Sequence, residues 1–468
     1  MDASVAQMWA DYLLQSGRPL TTPRRKAARI NPSIAQDGLV RQHEPHGMTA
    51  SSTNWARTFF TFWTGQALSL FGTQLVQFAL IWWLTETTGS ATVLATATLV
   101  GVLPNVFLAP VAGVLVDRWS RRTIMIASDG AVALATLALA VDFALDVVQV
   151  WHVYLALFVR AAVGTFQFPA AQASTSLMVP PEQLARVAGL NQMLQGGMII
   201  IAPPVGALLL GVLPTPGVLV VDVLTALLAV GTLTVIAIPQ PGRTSAAKAP
   251  FWSEMRAGLR YTSSWPGLMA ILVMATVSNF FLIAAISLLP ILVTKHFGGA
   301  AMHFASLSSA FGIGIIAGGM ALGVWGGFRR RMQTSLTGLI GLGLGFLLLG
   351  LTPATMFWMA LATTVLAAVM SSMTNGTLMA VLQTTVAPAM QGRVFTLMVS
   401  MATAISPLGL AVAGPVADRL GVQIWYIVGG GVCMGMGILA FFVPSILHME
   451  DHRGAPEAGE SEVTLTSA

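Results

Sequence analysis

Three charged residues interrupt apolar stretches in the first half of the chain, and they are the strongest candidates for chemistry. They are Asp129, Arg160 and Asp222. A charge at the centre of a bilayer costs at least ~2.5 kcal/mol, so each should face a partner or a water-filled cavity. An arginine that moves relative to a carboxylate changes which charge state is favoured. The pattern predicts that Asp129 or Asp222 takes up and releases a proton, and that Arg160 is the charge partner that drives this change. The alternative is a permanent ion pair or a hydrogen bond to a helix end.

A second set of charges lies in a short connection between two apolar runs. The connection carries Gly113, Asp117, Arg118, Arg121 and Arg122. Four charges in six residues cannot lie in hydrocarbon, so the segment should be a tight turn at a membrane surface. The eleventh apolar run begins at the same surface, and its helix start attracts an aspartate. We expect these residues to form a latch between the two halves of the molecule, unless the charges only orient the loop.

A related segment is expected at the opposite surface. Gly414-Pro-Val-Ala-Asp418-Arg419-Leu-Gly421 ends the eleventh run and repeats the Asp-Arg pair. Two interpretations remain open, a second latch that holds the other conformation or an ordinary turn after a helix.

The composition defines the elements that position these residues. The chain has 468 residues, of which 55% are hydrophobic and 9% charged, and its mean hydropathy is +0.77. Soluble domains carry about 25% charged residues, and a helix needs ~20 apolar residues to cross a membrane. The chain has twelve such runs, near residues 58–84, 91–116, 123–145, 151–179, 187–213, 217–238, 267–294, 303–326, 333–351, 355–386, 394–416 and 422–446. We predict an all-α membrane protein with twelve transmembrane helices.

The basic residues predict an orientation. Twenty of the 23 lysines and arginines fall on one face, Lys295 and Arg419 fall on the other, and Arg160 lies within a span. Short loops rich in Lys and Arg stay in the cytoplasm, so both termini should be cytoplasmic in the cell membrane. The excess of positive charge, +5 in total, is expected to meet anionic lipid rather than nucleic acid. Cys433 is the only cysteine, which excludes a disulfide framework.

The chain divides into five predicted regions. Residues 1–53 form a disordered cytoplasmic arm, with Met48 as an alternative start, and residues 448–468 form a disordered cytoplasmic tail. Residues 54–238 and 266–447 form two six-helix bundles. The linker 239–265 contains an amphipathic helix near 251–261, expected to lie on the membrane surface. The bundles repeat, since Pro181-Glu-Gln-Leu-Ala-Arg-Val matches Pro388-Ala-Met-Gln-Gly-Arg-Val.

Polar and helix-distorting residues within the spans suggest a cavity and a close helix contact. The predicted cavity residues are Gln66, Gln77, Asn105, Asn279 and Asn375. Their amides suit a bulky amphipathic ligand, although hydrogen bonds between helices worth ~0.6 kcal/mol are an equal alternative. Small residues and prolines in the fifth span predict close packing against a neighbour and a bend. These are Gly197, Pro203, Pro204 and Gly206.

These motifs resemble the major facilitator superfamily. The loop 113–122 is similar to its Gly-x-x-x-Asp-Arg-x-Gly-Arg-Arg signature, with Ser120 at the second glycine, and Ala202-Pro-Pro-Val-Gly-Ala resembles its exporter signature. Trp63-Thr-Gly-Gln-Ala-Leu-Ser and Phe168-Pro-Ala-Ala-Gln-Ala-Ser look like the macrolide-efflux and siderophore-export branch of drug:proton antiporters. The resemblance implies two pseudo-symmetric six-helix bundles, a gating role for the fifth span and support for the latch.

We therefore expect a monomeric secondary transporter that exports a bulky amphipathic compound, macrolide-like, by alternating access coupled to proton influx. A siderophore, metabolite or lipid exporter is the alternative, and a non-transporting sensor or scaffold is the alternative of a different class. No phosphate-binding loop, His-Glu-x-x-His or Gly-x-Ser-x-Gly motif occurs, so we expect no enzyme, cofactor or metal.

Overall fold

The structure is a computed structural model, and it describes residues 55–236, 238 and 251–452. The predicted arm 1–53, part of the linker and the end of the tail lie outside the described residues. The described chain is helical throughout its spans. The helices are α1 Trp55–Thr88, α2 Ala91–Arg118, α3 Arg121–Ala144, α4 Val150–Met178, α5 Leu184–Val212, α6 Thr215–Val235, α7 Phe251–Ser263, α8 Pro266–Ile291, α9 Ala301–Trp325, α10 Arg331–Leu351, α11 Phe357–Thr385, α12 Pro388–Ala404, α13 Ser406–Leu420, α14 Val422–Phe441 and α15 Pro444–Leu447.

Twelve helical segments of the described chain are long and apolar enough to cross a membrane, which confirms the predicted fold class. Each corresponds to one of the apolar runs. The eleventh run departs from a single helix, because α12 and α13 are separated at Ile405. Pro407 lies in the first turn of α13 and has no N–H to continue the hydrogen-bond ladder of α12.

The membrane-spanning helices pack in two groups, the first formed by α1 to α6 and the second by α8 to α14. In the first group α6 packs on α1 and α3, and α4 packs on α2 and α3; in the second group α10 packs on α11 and α14. The contact between α10 and α14 depends on a pair of glycines, since a Cβ at Gly343 or at Gly430 would lie 2.6 Å from the carbonyl oxygen of the other. A side chain at either position would force the backbones apart.

The two groups contact each other mainly toward one end of the bundle. We call the end where α1 begins the Trp55 face and the end where α1 finishes the Thr88 face. The most extensive contacts between the groups join α2 to α13 and α5 to α9. On α13, a Cβ at Gly414 would lie 2.7 Å from the Cα of Thr92 in the first turn of α2. The Phe78 and Phe304 rings of α1 and α9 stack with centroids 5.0 Å apart, so the Thr88 face is closed.

The amphipathic helix predicted near 251–261 is α7. It packs on the start of α12, where a Cβ at Gly258 would lie 3.0 Å from the carbonyl oxygen of Arg393. Arg256, Leu259 and Arg260 are exposed on the other sides of α7.

Candidate functional site

A cavity of about 290 Å³ lies among α1, α3, α4 and α5. Its lining residues occupy the beginning of α1 and the end of α4, so it lies toward the Trp55 face. Phe62, Trp63 and Phe168 supply aromatic surface. Phe168 is 60% exposed, so the cavity is not sealed from the surroundings of the protein. The Trp63 indole donates to Asn191 Oδ1 at 2.8 Å, which fixes its orientation. The lining also includes polar side chains, Arg160 among them. Aromatic surface combined with polar groups is typical of sites for bulky organic ligands.

Asp129 lies behind the wall of this cavity, bonded to residues that line it, and is only 1% exposed. Its carboxylate accepts three hydrogen bonds, from Gln167 Nε2 at 2.7 Å, from Gln66 Nε2 at 3.1 Å and from Ser69 Oγ at 3.1 Å. Gln66, Ser69 and Gln167 all line the cavity. Among the described residues no cationic side chain pairs with Asp129, so its charge is held by neutral donors alone.

Arg160 and Asp222 form a buried ion pair beside the same cavity, which Arg160 lines. The Nη1 of Arg160 lies 2.5 Å from Asp222 Oδ2, and both side chains are almost fully enclosed. The Thr136 hydroxyl donates to the same carboxylate oxygen, and Arg160 also donates to the backbone carbonyl of Thr73. The other oxygen, Asp222 Oδ1, is buried without a hydrogen-bond partner in the described part of the chain. Of the three predicted charges, Arg160 and Asp222 are therefore paired with each other, and Asp129 belongs to no ion pair among the described residues.

A smaller cavity of about 120 Å³ lies among α8, α10 and α11 in the second group. Asn279 and Asn375 line it, whereas Gln66 lines the larger cavity. The predicted cavity residues therefore divide between two cavities rather than lining one. The second cavity is the repeat counterpart of the Asp129 site, because α4 and α11 begin 207 residues apart and α3 and α10 begin 210 apart. Leu339 corresponds to Asp129 on this basis, so the second cavity lacks its carboxylate.

The remaining predicted cavity residues lie elsewhere. Gln77 is exposed and lies 11 residues beyond Gln66 on α1, or about 16 Å further along the helix axis at ~1.5 Å per residue. Asn105 on α2 is exposed, and its Oδ1 accepts a hydrogen bond from Thr165 of α4. Asn105 thus contributes to helix packing in the first group.

Asp418 joins the two groups at the Thr88 face. Its carboxylate accepts hydrogen bonds from the backbone N–H groups of Ala91 at 2.8 Å and Thr92 at 2.9 Å, and from Ser90 Oγ at 2.9 Å. These donors form the N-terminus of α2, whose first N–H groups have no partner within the helix and carry partial positive charge. A residue of the second half thus caps a helix of the first half.

The prolines of α5 release a carbonyl that bonds to the other group. Pro204 has no N–H to donate to the carbonyl of Ile200, four residues earlier. That carbonyl instead accepts a hydrogen bond from Ser309 Oγ of α9 at 2.7 Å. A Cβ at Gly312, one turn further on α9, would lie within 2.9 Å of Ile199 and Ile200 side-chain atoms. Pro203 and Pro204 therefore lie beside the contact between the groups.

The two predicted α5 glycines have different surroundings. A Cβ at Gly206 would lie 2.9 Å from the Phe78 ring of α1, whereas one at Gly197 would meet nothing within 4 Å. Gly206 allows a close helix contact inside the first group, and Gly197 faces open space.

In the loop 113–122, the described arginine contacts stay within the first group. Arg122 donates to the carbonyls of Leu233 and Thr234 at the end of α6, and Arg121 donates to that of Ala173 on α4. Cations are stabilising at helix C-termini, so these bonds tie α3 to its neighbours. Arg118 is exposed. The side chain of Asp117 and the surroundings of Gly113 lie outside what the structure describes.

Several residues of the site have no prediction from sequence. Gln167, Ser69 and Thr136 bind the intramembrane carboxylates, Trp63 and Asn191 shape the cavity, and Ser309 binds the carbonyl released on α5. The sequence signal for these residues is the cost of a buried charge. That cost requires polar partners but does not identify the residues that supply them. The carbonyl released by Pro204 likewise requires a donor.

Twelve spans in two repeated groups around a cavity define a membrane transporter fold, and solved structures share it. A mutant of the nucleoside transporter NupG aligns with a TM-score of 0.64 and 15% identity over 82% of this chain and 98% of that one. An inward-facing, unoccupied bacterial homolog of the human lysosomal transporter Spinster aligns with a TM-score of 0.63 and 14% identity, over 87% of this chain and 100% of that one.

Residues 51–465 match the transmembrane secretion effector family of the major facilitator transporters, and the chain belongs to that family. It is a transporter and not an enzyme. It is 33% identical to macrolide efflux protein A of Streptococcus pyogenes over 398 residues, which cover 85% of this chain and 98% of that protein. It is 26% identical to the multidrug efflux pump Tap of Mycolicibacterium fortuitum, over 79% of this chain and 91% of that pump.

Proposed function

We propose that the protein exports a bulky amphipathic compound of the macrolide type from the cell by alternating access, driven by proton influx. The observation that carries the proposal is the cavity with the buried Asp129 directly behind its wall, bonded to three lining residues. The cavity offers a large apolar surface to the ligand, and Asp129 offers a site for a proton beside it. The similarity to macrolide efflux protein A supports this choice of substrate.

The charge distribution supports an orientation with the Trp55 face and both termini in the cytoplasm. Arg57, Arg118, Arg186, Arg393 and the Arg329–Arg331 run lie at helix ends on the Trp55 face. Lys295 and Arg419 lie at the Thr88 face. Cytoplasmic loops carry the excess of Lys and Arg. In this orientation the structure is inward-open, and its cavity receives the substrate from the cytoplasm or the inner leaflet.

Two latches at opposite faces would then alternate. The contact of Asp418 with the start of α2 stabilises the inward-open state. Asp117, at the end of α2, would make the equivalent contact with the start of α12 when the cavity opens outward. The bond between Ser309 and the α5 carbonyl belongs to the inward-open state. One proton moving down 100 mV releases about 2.3 kcal/mol, which is enough to favour one latched state over the other.

The test is proton movement in proteoliposomes that contain the purified protein and a pH-sensitive dye in their lumen. Erythromycin added to one side should produce a proton flux that is absent from protein-free liposomes and from the Asp129→Asn variant. A siderophore and the dye ethidium serve as comparison ligands. A flux with the siderophore alone would replace the macrolide proposal, and no flux with any ligand would favour a non-transporting role.

A further inference from the structure

Two side-chain amides, those of Gln66 and Gln167, lie between Asp129 and the cavity. A side-chain amide has a donor end and an acceptor end, and a half-turn about its last bond exchanges them. Gln167 makes the shortest contact to Asp129, with its Nε2 2.7 Å from Oδ1. The same nitrogen lies 3.3 Å from Gln66 Oε1. Both glutamines line the cavity, so they separate Asp129 from a bound ligand.

We propose that the Gln167 amide turns when Asp129 takes up a proton, so that its cavity side changes from a hydrogen-bond acceptor to a donor. The ligand group that it selects is then a hydrogen-bond donor, such as a protonated amine or a hydroxyl. This inference rests on the proposed function, because it assumes that Asp129 exchanges a proton.

With Asp129 charged, the carboxylate has only acceptor oxygens, and both amides turn their NH₂ groups toward it. The oxygen of Gln66 then accepts from Gln167. The oxygen of Gln167 has no donor among the described residues, and Gln167 lines the cavity. That oxygen is therefore available to a donor group on the ligand.

With Asp129 protonated, a proton from solvent has bonded to one carboxylate oxygen and the group has become a neutral O–H donor. An NH₂ group that faces this O–H leaves two donors in contact and one buried hydrogen bond unmade, which is costly. Turning Gln167 supplies its carbonyl oxygen as the acceptor and gives up the longer, 3.3 Å bond to Gln66 Oε1, an oxygen of a residue that itself lines the cavity. Its NH₂ group then points to the cavity and opposes the ligand's donor group, so protonation expels the ligand.

The other two charges within the spans of the first group form one ion pair, between Asp222 of α6 and Arg160 of α4. The other charged or titratable groups on α1, α3, α4, α5 and α6 lie near the helix ends, namely Arg57, Glu86, Arg121, Arg122, Asp142, His152, Tyr154 and Arg186. Asp129 is thus the unpaired acid that faces the two amides.

Ser69 offers the competing arrangement. Its hydroxyl lies 3.1 Å from Asp129 Oδ1 and can accept as well as donate. If the Ser69 hydroxyl accepts the hydrogen bond from the O–H of protonated Asp129, no amide needs to turn. The Ser69→Ala variant removes this arrangement and leaves Gln167 in place, which makes it the matched control for Gln167→Met.

The experiment measures binding of radiolabelled erythromycin to the full chain in lipid nanodiscs over a series of acidic pH values, where the amine of erythromycin stays protonated. If one proton competes with one ligand, the wild-type Kd rises by about tenfold for each unit by which the pH is lowered. Asp129→Asn should give a flat profile. Gln167→Met should bind more weakly and also give a flat profile, and Ser69→Ala should keep the tenfold slope whatever its affinity.

The outcomes separate the two proposals. A tenfold slope that persists in Gln167→Met and disappears in Ser69→Ala would overturn the amide turn while leaving proton coupling intact. A flat wild-type profile, or a wild-type slope that persists in Asp129→Asn, would reject proton exchange at Asp129 and the amide turn with it. Erythromycin N-oxide, whose amine position carries an acceptor, should bind wild type at least tenfold more weakly; equal binding would overturn the donor selectivity. Size-exclusion profiles and thermal unfolding confirm that each variant is folded.

Discussion

The contact between Asp418 and the start of α2 yields a quantitative prediction for Asp418→Asn. The carboxylate accepts from Ala91 N through one oxygen, and from Thr92 N and Ser90 Oγ through the other. Asparagine has a single acceptor oxygen, so its NH₂ group must face at least one backbone N–H. A hydrogen bond to a charged group contributes about 1.5–3 kcal/mol, and solvent reduces this because Asp418 is exposed. We expect a loss of about 1–2 kcal/mol, which is a five- to thirtyfold fall in the ratio of closed to open Thr88 face.

Spin-label distance measurements can report that ratio. Labels at Glu86→Cys on α1 and Met302→Cys on α9 lie on exposed positions of the two groups at the Thr88 face. Cys433 is the only native cysteine, and Cys433→Ser removes it. Asp418→Asn should raise the ratio of the long-distance to the short-distance population by the predicted factor. Asp142→Asn, which changes an aspartate of the same face outside this contact, should not. An Asp418→Asn distribution identical to that of wild type would refute the reasoning.

Three further changes have defined outcomes. Arg160→Ala leaves Asp222 as a buried carboxylate without its cation, so thermal unfolding should show a loss of about 3–5 kcal/mol. The double variant with Asp222→Ala should recover most of it, and a single variant as stable as wild type would contradict the pair. Ser309→Ala removes the donor to the carbonyl released on α5, which should shift the same spin-label ratio by about threefold, or ~0.6 kcal/mol; no shift would argue against that bond. Gly414→Val would place its Cβ 2.7 Å from the α2 backbone, whereas Gly431→Val is the control because a Cβ there meets nothing within 4 Å. Transport of erythromycin in proteoliposomes should therefore fall at least tenfold in Gly414→Val only. Equal rates in the two variants would contradict the role of the close contact.

The topology was predictable because each element carries its own signal. A span needs a run of apolar residues whatever its neighbours are, so composition alone locates it. The break at Ile405 follows from Pro407 by the same local logic, since proline cannot donate to the preceding turn. A search for apolar runs alone merges the two helices because both flanks of the break are apolar.

The charges of the site were predictable, and its neutral partners were not. Asp129, Arg160 and Asp222 stand out because a charge in an apolar run is costly. The sequence leaves open which aspartate pairs with Arg160, and it does not point to Gln66, 63 residues from Asp129, because no local spacing encodes contacts between helices. Helical periodicity predicts which residues share a face of a helix, and it places Gln66 and Gln77 together on α1. It does not predict how far along the helix axis a cavity extends, and Gln77 lies beyond this one.

The break in the eleventh span divides one transmembrane segment between two mechanical tasks. Its first part, α12, bears α7, and its second part, α13, holds the start of α2 through Asp418 and Gly414. A single residue, Ile405, connects the two helices and keeps helical φ and ψ angles. The contact with the linker helix and the contact that closes the Thr88 face are therefore carried by separate helices of the same span.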